Sequence, residues 1–162
     1  MKRLAIILAA VLIAAPMIAS QAYAGMIAPR EGWAVHDTEL GYAELVDRLK
    51  AAIEAEGMFI ITEAGPTAAA KKRGITIPNN RVFGVYRNDY AVRVLETSTA
   101  AMIEAPIRFY VTENPDGSAT LSYKTPGAVF APYLDEGGAE LSAIAGELDA
   151  IFAAIAARAA AQ

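Results

Sequence analysis

The 162-residue sequence contains no cysteine. This absence excludes disulfides, thiolate nucleophiles, iron–sulfur clusters and covalently attached c-type haem. It also excludes lipid anchoring through an N-terminal cysteine. His36 is the only histidine, so one chain cannot assemble a histidine-rich metal site or a Cys–His pair. We therefore expect the protein to carry no metal and no cofactor.

Basic residues are also fewer than acidic ones. The chain has 14 Lys and Arg residues against 18 Asp and Glu. Two of the 14, Lys2 and Arg3, belong to the leader described below, and without them 12 basic residues face 18 acidic ones, a net charge of −6. Because phosphate binding relies on clustered cations, nucleic acid is not an expected partner. The one basic run, residues 71–73, is typical of a solvated loop.

Motifs for nucleophilic catalysis and phosphate binding are missing as well. The sequence holds no Gly-x-Ser-x-Gly motif around a serine and no phosphate-cradling glycine loop. With metal, thiol and nucleotide chemistry set aside, the remaining sources of function are acid–base side chains and surfaces that bind a ligand or a partner.

The first segment has the pattern of a secretory signal peptide. Residues 1–3 form a positively charged start, and residues 4–15 form an unbroken apolar run. Ala22 and Ala24 place small side chains at the two positions that signal peptidase recognises. We therefore predict a signal peptide over residues 1–24, with Gly25 as the first residue after cleavage.

An uncleaved N-terminal anchor is the alternative interpretation of this segment. Pro16 and the polar pair at residues 20–21 interrupt the apolar run, which leaves it short for a membrane span of about 20 residues. The expected location is thus periplasmic or secreted, with no membrane association once the signal is removed.

Residues 25–162 have the length of one domain. The chain is 55% hydrophobic and 20% charged, which is enough apolar surface for a single core. Hydrophobic periodicity predicts strands at 33–38, 58–63 and 81–86, helices at 42–56, 66–74, 88–98 and 141–155, and a hairpin over 107–124. The strand at 58–63 has the apolar composition of a buried strand, and Gly84 indicates a bulge or a close backbone approach.

This order of elements predicts an α+β domain. A meander-like, mainly antiparallel sheet would carry helices packed on one face, with the long apolar stripe of the last helix lying across it. The opposite face would then be polar or covered by a partner.

The order of motifs also resembles a known family. The shared sequence features run from a helix through a Phe-Gly strand and a proline step to a hairpin: residues 42–50, 56–59, Phe83-Gly84, Ala105-Pro106-Ile107, Asp116-Gly117, Ser122-Tyr123 and Pro126. Over roughly residues 39–134 this order is similar to the domain of unknown function 302 (DUF302) family.

The resemblance implies a fold and little chemistry. It implies a β-α-β-rich domain of TATA-binding-protein-like topology, with helices on one side of a curved antiparallel sheet. Such a topology does not imply DNA binding. The sequence departs from the family pattern at residues 85–88, where relatives usually have Asn-Pro-Lys, and at residues 131–134, where relatives usually have a basic-His-Gly ending.

Tyrosines on the predicted strands and loops are the main candidates for a binding function. Most aromatic side chains on strands fill cores, but several tyrosine rings must place a hydroxyl at water or at a partner, as at a pocket rim or a dimer face. The ligand or interface candidates are Tyr86, Arg108, Tyr110, Tyr123 and Tyr133.

Two carboxylates are the candidates for acid–base chemistry. Glu63 and Glu104 would meet if their strands were neighbours, and a close pair would separate the two pKa values as general acid–base catalysis requires. His36, next to Trp33 and Val35 on a strand, has the position of a packed or surface histidine.

Two functions therefore remain open. The first is a non-catalytic exported domain that binds a small amphipathic ligand over the tyrosine-bearing sheet or pairs with itself as a homodimer. The second is a periplasmic enzyme without a cofactor that uses Glu63, Glu104, Arg108 or Tyr123 in a cleft. Of the two, the sequence favours the first, a protein that is not an enzyme, and leaves the second open.

Signal cleavage gives a direct test of the export prediction. When the full chain is produced in a Gram-negative host, the periplasmic fraction should contain a protein whose N-terminal sequence begins at Gly25. The substitution Ala24→Arg should block cleavage, because signal peptidase accepts only a small residue at this position. Intact mass spectrometry distinguishes the two forms. An unprocessed wild-type chain in the membrane fraction would contradict the prediction.

Overall fold

The computed structural model describes residues 26–161. The predicted signal peptide and its cleavage residues Ala22, Ala24 and Gly25 lie outside the described residues. The strands are β1 Trp33–Gly41, β2 Phe59–Ala64, β3 Asn80–Tyr86, β4 Ile107–Glu113 and β5 Ser118–Lys124. The helices are α1 Tyr42–Ala55, α2 Thr67–Lys72, α3 Asn88–Thr97, α4 Pro126–Phe130 and α5 Leu134–Ala159, with short 3-10 helices at Ala101–Glu104 and Ala131–Tyr133.

The five strands form one antiparallel sheet. Its spatial order is β1-β5-β4-β3-β2, so β2 to β5 follow one another as a meander and β1 pairs with β5 at one edge. The sheet does not close, and the helices pack on one side of it. The predicted α+β architecture with a mainly antiparallel sheet is thereby confirmed. Among residues 26–161, no helix has both the length and the apolar composition needed to span a bilayer.

The core lies between the sheet and helices α1 and α5. Because side chains alternate between the faces of a strand, Phe83, Phe109 and Leu121 share the helix-facing side, and each is fully buried. The predicted stripe of α5 covers them, and Phe152 stacks on Phe109 with ring centroids 4.6 Å apart. A break at Gly138, where φ is 59°, separates the first turn of α5 from that stripe.

The prediction that residues 58–63 form a strand is correct, but most of this strand is exposed and not buried. Met58 is buried, but among the described strands β2 pairs with β3 alone and forms an edge of the sheet. Phe59 is 62% exposed and Ile61 57% exposed. An apolar run predicts a strand, yet the number of its neighbours depends on pairings made elsewhere in the chain.

Gly84 marks a close approach between chain segments, as its position in a strand predicted. A Cβ atom added there would collide with Thr62 Oγ1 on β2 and would lie 2.7 Å from Pro106 Cγ. The register of β2 against β3 also shifts between Ile60 and Thr62, next to this glycine. The missing side chain therefore lets the edge strand and the Pro106 ring pack onto β3.

Substitution of this glycine tests the packing. We expect Gly84→Ala to lower the free energy of unfolding by about 1–3 kcal/mol, because an overpacked methyl group forces the backbone to move. Gly146→Ala is the matched control: Gly146 is exposed in α5, and the space that a methyl group would occupy there is open, so alanine should raise stability by about 0.5–1 kcal/mol. Urea unfolding measures both, and equal stability of the two variants would contradict the packing argument.

Candidate functional site

The sheet face opposite the helices presents side chains in rows that cross the strands. Trp33 pairs with Lys124, and Gly84 pairs with Arg108. Because Phe109 pairs with Tyr123, the same register continued by one residue places Arg108 opposite Lys124. One row of this open face therefore runs from Trp33 through Lys124 and Arg108 to Gly84.

The next row is apolar and hydroxyl-bearing. Val35 pairs with Ser122, Ser122 with Tyr110, and Tyr110 with Val82. Ser122 is fully buried, and its hydroxyl has no hydrogen-bond partner among residues 26–161. The two rows together place a pair of cations beside a surface of aromatic and aliphatic groups.

A pocket of about 330 Å³ opens where these rows meet the two short helical segments that flank the β4–β5 hairpin. Its size lies near the lower end of the roughly 300–1,000 Å³ typical of small-molecule sites. Its walls are formed by Trp33, Val82, Glu104, Ile107, Arg108, Tyr110, Tyr123, Lys124 and Val129. Four of the seven side chains predicted from the sequence are thus brought together: Glu104, Arg108, Tyr110 and Tyr123.

Arg108 and Tyr110 reach the pocket because they alternate with core residues on β4. Ile107, Phe109 and Val111 face the helices and are buried, so the residues between them point to the open face. Arg108 is exposed, and Tyr110 is partly buried. The Tyr110 hydroxyl is a neutral hydrogen-bonding group at physiological pH, as tyrosine ordinarily is, and burial raises its pKa further.

Tyr123 is mainly a core residue. It is 4% exposed, and its ring centroid lies 4.9 Å from Phe109 and 5.6 Å from Phe152. His36 stacks on the same ring, with centroids 6.1 Å apart. Burial, with a smaller contribution from the charge of Asp149, raises the Tyr123 pKa. Tyr123 therefore supports the floor of the pocket and is not a surface tyrosine.

Glu104 enters the pocket from the 3-10 helix before β4, and Tyr133 holds it there. The Tyr133 hydroxyl donates a hydrogen bond of 2.8 Å to Glu104 Oε1. This hydrogen bond raises the pKa of Tyr133, with burial and nearby carboxylates adding to the effect. Tyr133 is therefore a positioning residue for the carboxylate and not part of the pocket wall.

Glu63 and Tyr86 lie outside this pocket. Glu63 faces the helix side, where Lys50 Nζ lies 3.0 Å from its Oε2 and Arg81 donates to its Oε1. Burial alone would raise the Glu63 pKa, but the hydrogen bonds and charges of Lys50 and Arg81 outweigh it and lower the pKa. Glu63 and Glu104 thus belong to separate sets of contacts, and the structure does not form the carboxylate pair considered from the sequence.

Tyr86 lines a much smaller cavity of about 30 Å³, bordered by core residues such as Phe130 and Phe152. That volume is far below the roughly 300–1,000 Å³ typical of small-molecule sites. The Tyr86 hydroxyl accepts a 3.3 Å hydrogen bond from Asn88. We therefore assign Tyr86 no part in the pocket.

Sequence reasoning missed five of the pocket residues: Trp33, Val82, Ile107, Lys124 and Val129. Extending the register of the predicted hairpin would have placed Lys124 opposite Arg108. No local signal places Trp33 there, because the pairing of β1 with β5 joins segments some ninety positions apart in the chain.

The described part of the chain offers no ready metal site. Within residues 26–161, no group of three or more His, Asp or Glu side chains has the arrangement to hold a metal ion. Three buried polar atoms there have no hydrogen-bond partner: His36 Nε2, Thr112 Oγ1 and Ser122 Oγ. The available chemistry of the pocket is therefore ionic and hydrogen-bonding contact from Arg108, Lys124, Glu104 and the Tyr110 hydroxyl.

Comparisons with known proteins bear on the fold. The model of the family described as "Domain of unknown function DUF302" matches residues 34–158. The structure is similar to the crystal structure of an uncharacterized conserved DUF302 protein from Bacillus stearothermophilus, with a TM-score of 0.70 and 19% identity, over 80% of this chain and 99% of that one. No curated protein matches the chain. At this level of identity the similarity to the solved structure concerns the fold alone.

Proposed function

The chain belongs to the DUF302 family, and we propose that its domain binds a small amphipathic ligand in the pocket beside Arg108 and Tyr110. The observation that carries the proposal is the composition of the pocket wall. Trp33, Val82, Ile107, Tyr110 and Val129 provide apolar and aromatic surface, and only a few charged groups are placed among them. Small-molecule sites have this combination, in which apolar area provides affinity and a few polar groups orient the ligand.

Catalysis by paired carboxylates is the less favoured function. Such a mechanism needs a second ionisable group near Glu104 that can exchange a proton at the operating pH. Glu63 is engaged with Lys50 and Arg81 in a different cluster. The other charged side chains of the pocket wall, Arg108 and Lys124, are cations. These contacts favour a non-catalytic binding domain.

We also propose that this binding takes place outside the cytoplasm. The support is the pattern of residues 1–24, with a positive start, an apolar run and small residues at the cleavage positions. A periplasmic or secreted domain without cysteine must be stabilised by its core, and the packing of α1 and α5 on the sheet provides one.

Self-association is a second candidate role, and β2 is where we would place it. The edge strand exposes Phe59 and Ile61 together with one unpaired side of its backbone. Such edges pair readily with another strand. A second copy of the same chain, related by a two-fold axis, would set β2 antiparallel to β2 and bring these apolar side chains against their counterparts.

Ligand binding is testable with N-phenyl-1-naphthylamine, a neutral amphipathic dye that fluoresces in apolar sites. We expect saturable 1:1 binding to the purified protein. Val82→Trp should weaken the dye's affinity at least tenfold, because a large side chain fills the pocket. Val92→Trp is the matched control, since Val92 is an exposed residue of α3 outside the pocket. Absence of saturable binding, or equal loss in both variants, would contradict the proposal.

Self-association is testable by light scattering coupled to size-exclusion chromatography. The wild-type protein should have the molar mass of a dimer, and Phe59→Lys should convert it to a monomer, since a charge cannot be buried unpaired at the new interface. Val92→Lys, on a different exposed surface, should leave the mass unchanged. A monomeric wild-type protein would rule out this role and leave the ligand-binding proposal intact.

A further inference from the structure

We infer that the ligand of this pocket is an anion whose negatively charged group contacts Lys124 and Arg108. The inference rests on the proposed ligand-binding function and names the chemical class of the ligand. It comes from the placement of positive charge in a chain that is acidic overall, with 14 Lys and Arg against 18 Asp and Glu.

The two cations occupy an unfavourable position for the folded chain by itself. The β4–β5 register, continued by one residue beyond the Phe109–Tyr123 pair, places Arg108 across from Lys124 on the open face. Like charges opposite each other on adjacent strands destabilise a sheet. An anion bound between them would convert this repulsion into two favourable contacts.

No carboxylate of the described residues neutralises either cation. Within residues 26–161, neither Arg108 nor Lys124 forms a salt bridge with Asp or Glu. Six of the other ten basic side chains in that range form one, and Arg30 and residues 71–73 do not: the six are Arg48, Lys50, Arg81, Arg87, Arg93 and Arg158. The carboxylates of these salt bridges all lie outside the pocket wall.

A third cation lies close to the same row. The Arg30 guanidinium lies over the Trp33 ring at 5.2 Å from its centroid, and Lys124 Nζ lies 5.9 Å from the same centroid. Stacking on the indole holds both positive groups near the pocket without neutralising them. The clustering of these three cations favours an anionic ligand.

Glu104 is the carboxylate among the described residues of the pocket wall, and its negative charge would repel an anionic ligand. It is engaged as an acceptor of the Tyr133 hydroxyl at 2.8 Å, and the two cations of the wall outnumber it. The ligand's charged group therefore belongs at Lys124 and Arg108, with its apolar body against Val82 and the Tyr110 ring.

The size and shape of the pocket limit the ligand further. A volume of about 330 Å³ suits one or two aromatic rings or a medium-length alkyl chain, each carrying a carboxylate or sulfonate. Trp33 and Tyr110 provide flat faces on which a planar ring can stack. An aromatic or aliphatic organic acid is the class that combines these features.

A matched pair of dyes tests the charge requirement. 1-Anilinonaphthalene-8-sulfonate has the ring system of N-phenyl-1-naphthylamine and adds one sulfonate. We expect the sulfonate to bind roughly tenfold more tightly at low salt, because charge-assisted hydrogen bonds are stronger than neutral ones. Added NaCl should reduce this advantage by screening the exposed cations, while the affinity of the neutral dye should stay unchanged.

Charge-removing variants locate the contact. Arg108→Gln and Lys124→Gln should each weaken binding of the sulfonate severalfold and leave the neutral dye unaffected, which also shows that the variants remain folded. Lys72→Gln is the matched control, since Lys72 is an exposed cation of α2 outside the pocket, and it should change neither affinity.

The outcomes separate the two proposals. The anion inference is overturned if the neutral dye binds in the pocket and the sulfonate dye binds no more tightly. It is also overturned if Lys72→Gln lowers the affinity for the sulfonate dye as much as Arg108→Gln does. In both cases the proposed ligand binding stands. If neither dye binds saturably, the proposed function fails, and the anion inference fails with it.

Discussion

One-sided packing of the sheet is the constraint on which the rest of the structure depends. Phe109 lies on the central strand β4, is fully buried, and stacks on Phe152 of α5 at 4.6 Å. Because the side chains of a strand alternate between its faces, burying Phe109 against the helices turns Arg108 and Tyr110 to the opposite face. The residues proposed to contact a ligand are thus positioned by the same alternation that builds the core, and no separate loop is needed to present them.

The two faces of the sheet also differ in how their charged side chains are paired. On the helix-facing side, Glu63 is paired with Lys50 and Arg81, so that its charge is compensated within the fold. On the open face, Arg108 and Lys124 form no salt bridge within residues 26–161, and Glu104 of the same pocket wall accepts a hydrogen bond from Tyr133. The charges beside β2 and β3 are therefore paired, whereas two like charges are left adjacent at the pocket. A local cost of this kind is expected where a site is prearranged for a ligand of opposite charge.

Features that depend on neighbouring residues were predictable, and features that depend on strand order were not. The alternating pattern over residues 107–124 predicted the β4–β5 hairpin, and helical periodicity predicted α1 and the buried stripe of α5. The apolar run of β2 predicted a strand but not its edge position. The pattern of β4 indicated Arg108 and Tyr110 as candidates, and both line the pocket. The hypothesis that Glu63 and Glu104 form a pair required their strands to be neighbours, and the sheet does not bring these two carboxylates together.

The amino-acid sequence by itself determined the local elements, the absence of thiol and multi-histidine chemistry, and the acidic balance, because each of these depends on composition or on residues a few positions apart. Only the tertiary structure decided that β1 lies beside β5 and that Trp33 lies in one row with Lys124 and Arg108. Strand pairing joins distant segments through backbone hydrogen bonds that nearly every residue can make. The identity of the neighbours is therefore set by how the whole sheet buries its apolar face, and not by any short stretch of the chain.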